Sequence, residues 1–279
     1  MTLSPTPIPV RVAADTDTGQ TRQHNEDAFL IASELGLFAV ADGVGGHEGG
    51  VEASRLVVTE LPEFFKAQIT SKDSDEHTDD AALTNASTNN STILNESLTD
   101  TDFQRRLYRA IREVNTCVFK AGGQRATETR MGATLTGALF LSSGSTLIFN
   151  VGDSRTYCYR DKTLSCITKD QSWYQSWLDN GSVGAPPPKS IILQGVGLDE
   201  TVVPDWSVKP WQANDLWLMC SDGLSDRVDE DEISRMIEAH FENDTSLVTL
   251  CGELIAAANA AGGEDNITVL ALRPNSTIS

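Results

Sequence analysis

An α+β fold is predicted for this chain by the way its apolar patterns are grouped. Strand-like runs follow one another and helix-like runs stand apart, without the alternation of βαβ units. A second observation concerns where the strands stop. Phe38-Ala39-Val40-Ala41 ends in Asp42-Gly43, Leu147–Val151 in Gly152-Asp153, and Leu216–Cys220 in Ser221-Asp222-Gly223. Asp265 reverses the order and stands just before the strand Asn266–Leu270. Carboxylates at the ends of buried strands are rigidly aimed, and where several converge they repel. At roughly 4 Å and an effective dielectric of about 20, each like-charged pair costs about 4 kcal/mol. Such a cluster needs compensating cations, and hard oxygen donors point to magnesium or manganese.

Taken in order, Val10–Ala13 and Ala28–Ile31 read as short strands, and Gly36–Ala41 as an apolar strand buried on both sides. From Val51 to Phe65, Leu56, Val57, Leu61, Phe64 and Phe65 recur at helical spacing. A second helix begins at Asp102, presents Phe103, Leu107, Ile111, Val114 and Val118 inward, and stops at Gly122-Gly123. Strands follow at Ala133–Leu141, Thr146–Val151 and Arg155–Tyr159, the last turning at Asp161-Lys162 into Leu164–Thr168. Gln171–Asn180 carries Trp173, Tyr174 and Trp177, and Gly181 and Pro186-Pro187-Pro188 follow. This is loop chemistry suited to a flap over residues 171–190. The last third reads as a strand Asp215–Cys220, helices near Asp231–Phe241 and Ser246–Ala261, and a closing strand Ile267–Leu272.

Residues 71–101 are rich in Ser, Thr, Asn and Asp and poor in large apolar side chains. They bury too little surface to offset the entropy of ordering, so a flexible acidic insertion is expected, with weak helix signals at Asp79–Leu83 and Ile93-Leu94. The expected organisation is a flexible N-terminus at 1–9, one domain at 10–273 and a tail at 274–279. No internal repeat is present.

Composition narrows the function classes. The 279 residues suffice for a sizeable core, with 39% apolar and 22% charged content. No apolar run approaches the ~18 residues of a membrane span, and Met1–Pro9 lacks a basic start and an apolar stretch, so a cytoplasmic, membrane-free protein is expected. The cysteines Cys117, Cys158, Cys166, Cys220 and Cys251 form no Cys-x-x-Cys pair and are expected as buried free thiols. A formal charge of -19 argues against a nucleic-acid partner. A phosphorylated substrate is still compatible with that charge, because bound divalent ions invert the local field. Trp206, Trp211 and Trp217 have no interleaved basic residues and are expected to pack in the core or under the flap. His24, His77 and His240 lack metal-ligand spacing.

Asp42-Gly43-Val44-Gly45-Gly46-His47 alone fits a hairpin turn as well as a phosphate-binding nest before a helix. A glycine at 43 would also let a backbone carbonyl reach a metal unobstructed. The turn has company: Asp17-Thr18-Gly19-x-x-Arg22-x-x-Asn25-Glu26-Asp27, Arg130-Met131-Gly132-Ala133-Thr134, Gly152-Asp153-Ser154-Arg155, Ser221-Asp222-Gly223 and Asp265-Asn266-Ile267-Thr268. In this order and spacing the chain closely resembles the metal-dependent protein serine/threonine phosphatases of type 2C, in their bacterial single-domain form, over residues 10 to 272.

The resemblance implies a four-layer α-β-β-α sandwich, two central antiparallel sheets flanked by helices, with the active site at one end between the sheets. It implies a monomer that hydrolyses phosphoserine and phosphothreonine in proteins through a bridging metal-bound hydroxide, without a covalent intermediate, opposed by a serine/threonine kinase. Asp42 matches the acid bridging two Mn2+ or Mg2+ ions, the Gly43 carbonyl completes one site, and Asp222 with Asp265 holds the other. Asp153, shared with Asp222, matches a ligand of a third ion. Glu26 and Asp27 resemble acids that hold metal-bound water, Arg22 the phosphate clamp, and His47 the general acid. The residue chemistry suits these roles: a planar guanidinium matches a phosphoryl group, and a histidine can protonate a poor alkoxide leaving group near neutral pH.

Plainer readings stand beside them. Arg22 and Glu26 can be solvated surface residues, His47 a helix-start residue, and Asp153 a turn cap. The chain also departs from the family pattern, with Gln171 where histidine is usual and Leu193-Gln194-Gly195-Val196-Gly197 in place of Thr-Arg-Ala-Leu-Gly. Two rival functions are a catalytically silent phosphoprotein-binding module of the same fold and a small-molecule phosphomonoesterase.

Overall fold

In the strand β3 (Leu37–Val44), Leu37, Ala39 and Ala41 face one apolar core while Phe38 and Val40 face another. The strand β10 (Leu216–Cys220) divides likewise, with Trp217 and Met219 on the second core and Leu216, Leu218 and Cys220 on a third. Because side chains alternate along a strand, continuous apolar runs of this kind require both faces of each sheet to be covered. Stacking follows directly: helices, sheet, sheet, helices, with three apolar layers between them.

The computed structural model describes residues 9–45, 48–71, 98–123 and 131–275. Beside β3, the elements are β1 (Val10–Asp17), β2 (Asp27–Ala32), α1 (Glu48–Thr70), α2 (Asp100–Gly123), β4 (Gly132–Ala133), β5 (Leu135–Phe140), β6 (Ser145–Val151), β7 (Arg155–Arg160) and β8 (Thr163–Cys166). Then come α3 (Trp173–Asp179), β9 (Asp205–Pro210), β10, α4 (Asp222–Ser225), α5 (Glu230–Asn243), α6 (Leu247–Ala260) and β11 (Ile267–Pro274). One sheet has the order β1-β11-β10-β7-β8 and the other β2-β3-β5-β6-β9, with β4 on β3. Neighbours pair antiparallel in both. The expected α+β four-layer sandwich is the observed one. α1 and α2 pack on the second sheet through Val57, Leu61, Phe65, Leu107, Ile111 and Val114, and α4 to α6 cover the first through Leu224, Ile233, Ile237, Leu250 and Leu254.

Several boundaries shift. α2 begins at Asp100, inside the expected insertion, because Thr99 and Asp102 cap it: the Asp102 carboxylate accepts from the Thr99 N–H at 2.9 Å and from its hydroxyl at 2.7 Å. The rest of the expected insertion, 72–97 with its helix signals, lies outside the described residues, as do 1–8 and 276–279. Pro9 accepts from the Asn275 N–H at 2.8 Å, so the first and last described residues meet beside β1 and β11. The single strand expected at Ala133–Leu141 is broken at Thr134, for a reason given below. Residues 171–190 are not all loop, since Trp173–Asp179 is helical with Ser172 as its N-cap.

Nothing in the sequence marks the strand β9. It is an edge strand with Val208 half exposed, a proline at its end and only Trp206 packed inward on Phe149, so its sequence shows little alternation. Trp211 and Trp217 are buried as expected. Of the free cysteines Cys158, Cys220 and Cys251 are buried, while Cys117 and Cys166 are only half-buried, which corrects the expectation that all five are enclosed.

Candidate active site

All the aspartate turns fall at one end of the sandwich, because antiparallel pairing brings the close of one strand beside the opening of its neighbour. Asp42, at the end of β3, is the register partner of Asp27, which opens β2. Asp222 follows β10, Asp265 precedes β11, and Asp153 lies in the turn from β6 to β7. Arg22, Glu26, Asp42, Gly43, Asp153, Asp222 and Asp265 line one cavity of about 190 Å³ with Ser190, Ile192 and Asn266. At about 30 Å³ per water this has room for several waters or hydrated ions. His47 lies outside the described residues.

Local hydrogen bonds explain the aim of each acid. The Asp42 N–H donates to the Thr134 hydroxyl at 3.0 Å, the Thr134 N–H donates to the Asp42 carbonyl at 2.8 Å, and the Thr134 and Ser154 hydroxyls meet at 2.7 Å. This lock interrupts the strand between β4 and β5 and fixes Asp42. Ser221 donates its hydroxyl to Asp27 at 2.7 Å and accepts from the Thr268 N–H at 2.9 Å, tying β10, β11 and β2 together at the site. Asn266 works on the segment that carries Arg22: its amide donates to the Thr18 and His24 carbonyls at 2.9 Å each, and its oxygen accepts from the Glu26 N–H at 2.8 Å. Ser221, Asn266, Thr134 and Ser154 received no roles from the sequence, although all four sit in motifs singled out there. For Ser154, Ser221 and Asn266 the signal was adjacency to an aspartate turn.

Two glycines are required by close approach. A Cβ on Gly43 would lie 2.3 Å from the Gly50 carbonyl oxygen and 2.7 Å from that of Glu26, so glycine lets the start of α1 close against the turn. A Cβ on Gly223 would lie 1.9 Å from the Asn266 carbonyl oxygen.

The electrostatics are those of an uncompensated acid cluster. Burial and then repulsion from Asp27, Asp222, Asp153 and Asp265 push the Asp42 carboxyl well above the usual range. Asp222 is raised by burial and by Asp153, Asp265 and Asp27. Burial lifts Asp27 to about 6, and burial with the Asp170 charge lifts Asp153 to about 7. Asp27 Oδ1 and Asp222 Oδ1 are buried without any hydrogen-bond partner. Oxygens in that condition suit a cation, which would satisfy them and remove the repulsion.

The donor set therefore fits divalent ions, but it is not drawn into finished coordination. Among the described residues no three His, Cys, Asp or Glu side chains form a metal-holding group. Asp265 is held on both sides by its neighbours. Its Oδ2 accepts from Arg22 at 2.7 Å and its Oδ1 from the Asn266 N–H at 2.8 Å, so both oxygens are already engaged.

The departures from the family pattern have structural counterparts. Gln171 accepts from the Gly152 N–H at 3.0 Å through its side chain and donates to the Val203 carbonyl at 3.3 Å, linking the Asp153 turn to the segment before β9. Val196, in the second departure, forms a two-way bridge to Ala133 at 2.9 and 2.7 Å. Both segments are anchored to the rim of the site without touching a carboxylate.

A family model described as protein phosphatase 2C matches residues 17–246. The serine/threonine phosphatase stp of Listeria welshimeri is 33% identical over 93% of this chain and 94% of its own length. PstP of Mycobacterium tuberculosis is 30% identical over 94% of this chain and 44% of its own length. The solved catalytic domain of PstP in complex with two manganese ions has a TM-score of 0.72 and 29% identity, covering 96% of this chain and 99% of that one. With the family model spanning most of its length and its acids gathered at one end of the sandwich, the chain belongs to the protein phosphatase 2C family.

Proposed function

We propose that this chain hydrolyses phosphoserine and phosphothreonine in proteins with the aid of two manganese or magnesium ions. The observation that carries this reading is the convergence of Asp42, Asp153, Asp222 and Asp265 on one cavity with Arg22 at its rim. Asp42 and the Gly43 carbonyl would hold one ion, and Asp42, Asp222 and Asp265 the other. Asp153, with Asp222, offers a third position. Bound ions at this cluster would supply a water nucleophile at neutral pH and stabilise charge on the phosphoryl oxygens.

The chain's own residues do the rest. Glu26, which lines the cavity, and Asp27, held by the Ser221 hydroxyl, are assigned the orientation of water. Arg22 is about half exposed, so its guanidinium can exchange Asp265 for a phosphoryl group at the mouth. His47, next to the Gly43–Gly45 turn in sequence, is assigned protonation of the departing serine or threonine oxygen. No side chain at the cavity is assigned as a nucleophile, consistent with direct attack by water and no covalent intermediate. The proposed organisation is one catalytic domain at 10–273, acting as a cytoplasmic monomer against a serine/threonine kinase. No described helix is long and apolar enough to cross a membrane.

The test is turnover of a phosphothreonine peptide with added manganese, with chelator, and by Asp42→Asn and Asp222→Asn. Metal-dependent turnover lost in both variants is expected. Equal turnover in all four arms would reject the metal mechanism; none in the folded wild type would favour a silent binding module.

A further inference from the structure

At the opposite end of the sandwich the two sheets do not close on each other. A cavity of about 500 Å³ opens between the edges formed by β8 and β9, in the size range of small-molecule sites. Its walls are Thr163 and Ser165 from β8, Cys158 and Arg160 from β7, and Lys209 from β9, with Trp217 of β10 at the floor. Cys158 and Trp217 are cross-strand partners, so they lie side by side beneath the opening.

The polar groups here are not satisfied in the usual way. Buried indole N–H groups ordinarily find an acceptor, and Trp211 follows that rule by donating to the Leu141 carbonyl at 3.2 Å. Trp217 is fully buried and its Nε1 has no partner. Thr146 is also fully buried with an unpartnered hydroxyl, and it stands opposite Lys209 in the β6–β9 register, on the same face of the sheet. Lys209 is exposed and forms no ion pair among the described residues. Arg160 is occupied by Asp215 and the Pro210 carbonyl, and Asp161 is the carboxylate among the described lining residues. The remaining inventory is donor-rich: an indole N–H, an ammonium and the hydroxyls of Thr163 and Ser165.

We infer that this inter-sheet cleft is a binding site for a small aromatic anion. Its ring occupies the space above Cys158 and Trp217, and its acceptor head takes the donors of Lys209, Thr163 and Ser165. The site is separate from the catalytic cavity. Along β7 and β10 the floor lies three steps from the strand ends nearest the acids, Cys158 from Arg155 and Trp217 from Cys220, or about 10 Å at the rise of a strand.

The probe is naphthalene-2-sulfonate, titrated into the full chain while the indole N–H resonances are followed by NMR, with Trp217→Phe identifying the Trp217 signal. The Trp217 resonance is expected to shift saturably. Ser165→Trp fills the cleft from an exposed position and Lys209→Glu reverses the charge at its mouth; each is expected to weaken binding at least about tenfold, or about 1.4 kcal/mol. Excess inorganic phosphate is expected to leave the shift intact. No shift, an equal shift in the Ser165→Trp variant, or loss of the shift on adding phosphate would overturn the assignment.

Discussion

Two aspartates flank β10, and they are held in opposite ways. Asp215, before the strand, is almost fully buried and receives both arms of Arg160 at 2.7 and 2.6 Å, together with the Gln212 N–H at 2.7 Å. Asp222, after the strand, is half-buried among other carboxylates and keeps one enclosed oxygen without a partner. Both sit at an end of the same apolar run. What separates them is the neighbour: a fixed guanidinium completes Asp215, whereas Asp222 has other carboxylates around it.

The largest expected break in this contrast is catalytic. Asp222→Asn should lower kcat/KM for a phosphothreonine peptide by roughly a thousandfold, the scale of several kcal/mol of lost transition-state stabilisation. Asp215→Asn should leave kcat/KM within a few-fold. Stability should answer in reverse. Urea melts should show Asp215→Asn destabilised by roughly 2–3 kcal/mol, below the full range for a broken buried pair because Arg160 is partly exposed, while Asp222→Asn in chelator should equal or exceed wild type. If both variants lose stability alike, the distinction fails.

A pH series sharpens the same point. Asp27 and Asp153 have folded pKa values raised to about 6 and about 7 from a reference of 3.8. Between those limits the folded state binds more protons than the unfolded one, so the contribution to stability is full below about pH 4 and is lost as pH rises through 6 and 7. In chelator, the melting temperature should fall by several degrees from pH 5 to pH 7.5, at about 2–4 °C per kcal/mol. Added manganese should flatten this fall, and a chelated protein whose stability rises over the interval would contradict the uncompensated cluster. The smallest effect belongs to Gln171→Ala, which removes two side-chain hydrogen bonds at the rim. A loss of about 1 kcal/mol by calorimetry, with peptide KM moving more than kcat, is expected.

The sandwich was legible because its inner strands are buried on both faces and read as unbroken apolar runs, β3 and β10 above all. β9 was illegible for the converse reason, since an exposed edge strand needs no such run. Asp42, Asp153, Asp222 and Asp265 could be picked out because each interrupts the chain where a strand ends. The residues that hold them could not, because Thr134, Ser221 and Asn266 act through backbone groups far away in the chain, as when Asn266 binds Thr18 and His24. The pairing of Arg22 with Asp265 was hidden for the same reason: it depends on where β11 docks.

That docking has a consequence for how the protein comes into being. β1, at the beginning of the described chain, pairs along its whole length with β11, at the end, from Val10 opposite Pro274 to Asp17 opposite Ile267. Asp265 and Asn266 arrive only with that final strand, and Asn266 fixes the segment bearing Arg22 and Glu26. During synthesis from the N-terminus, every other carboxylate of the cavity is made before the piece that closes it. On the proposed assignment, a nascent or C-terminally clipped chain would lack Asp265 and the Asn266 clamp, and would gain activity only when the last strand slots between β1 and β10.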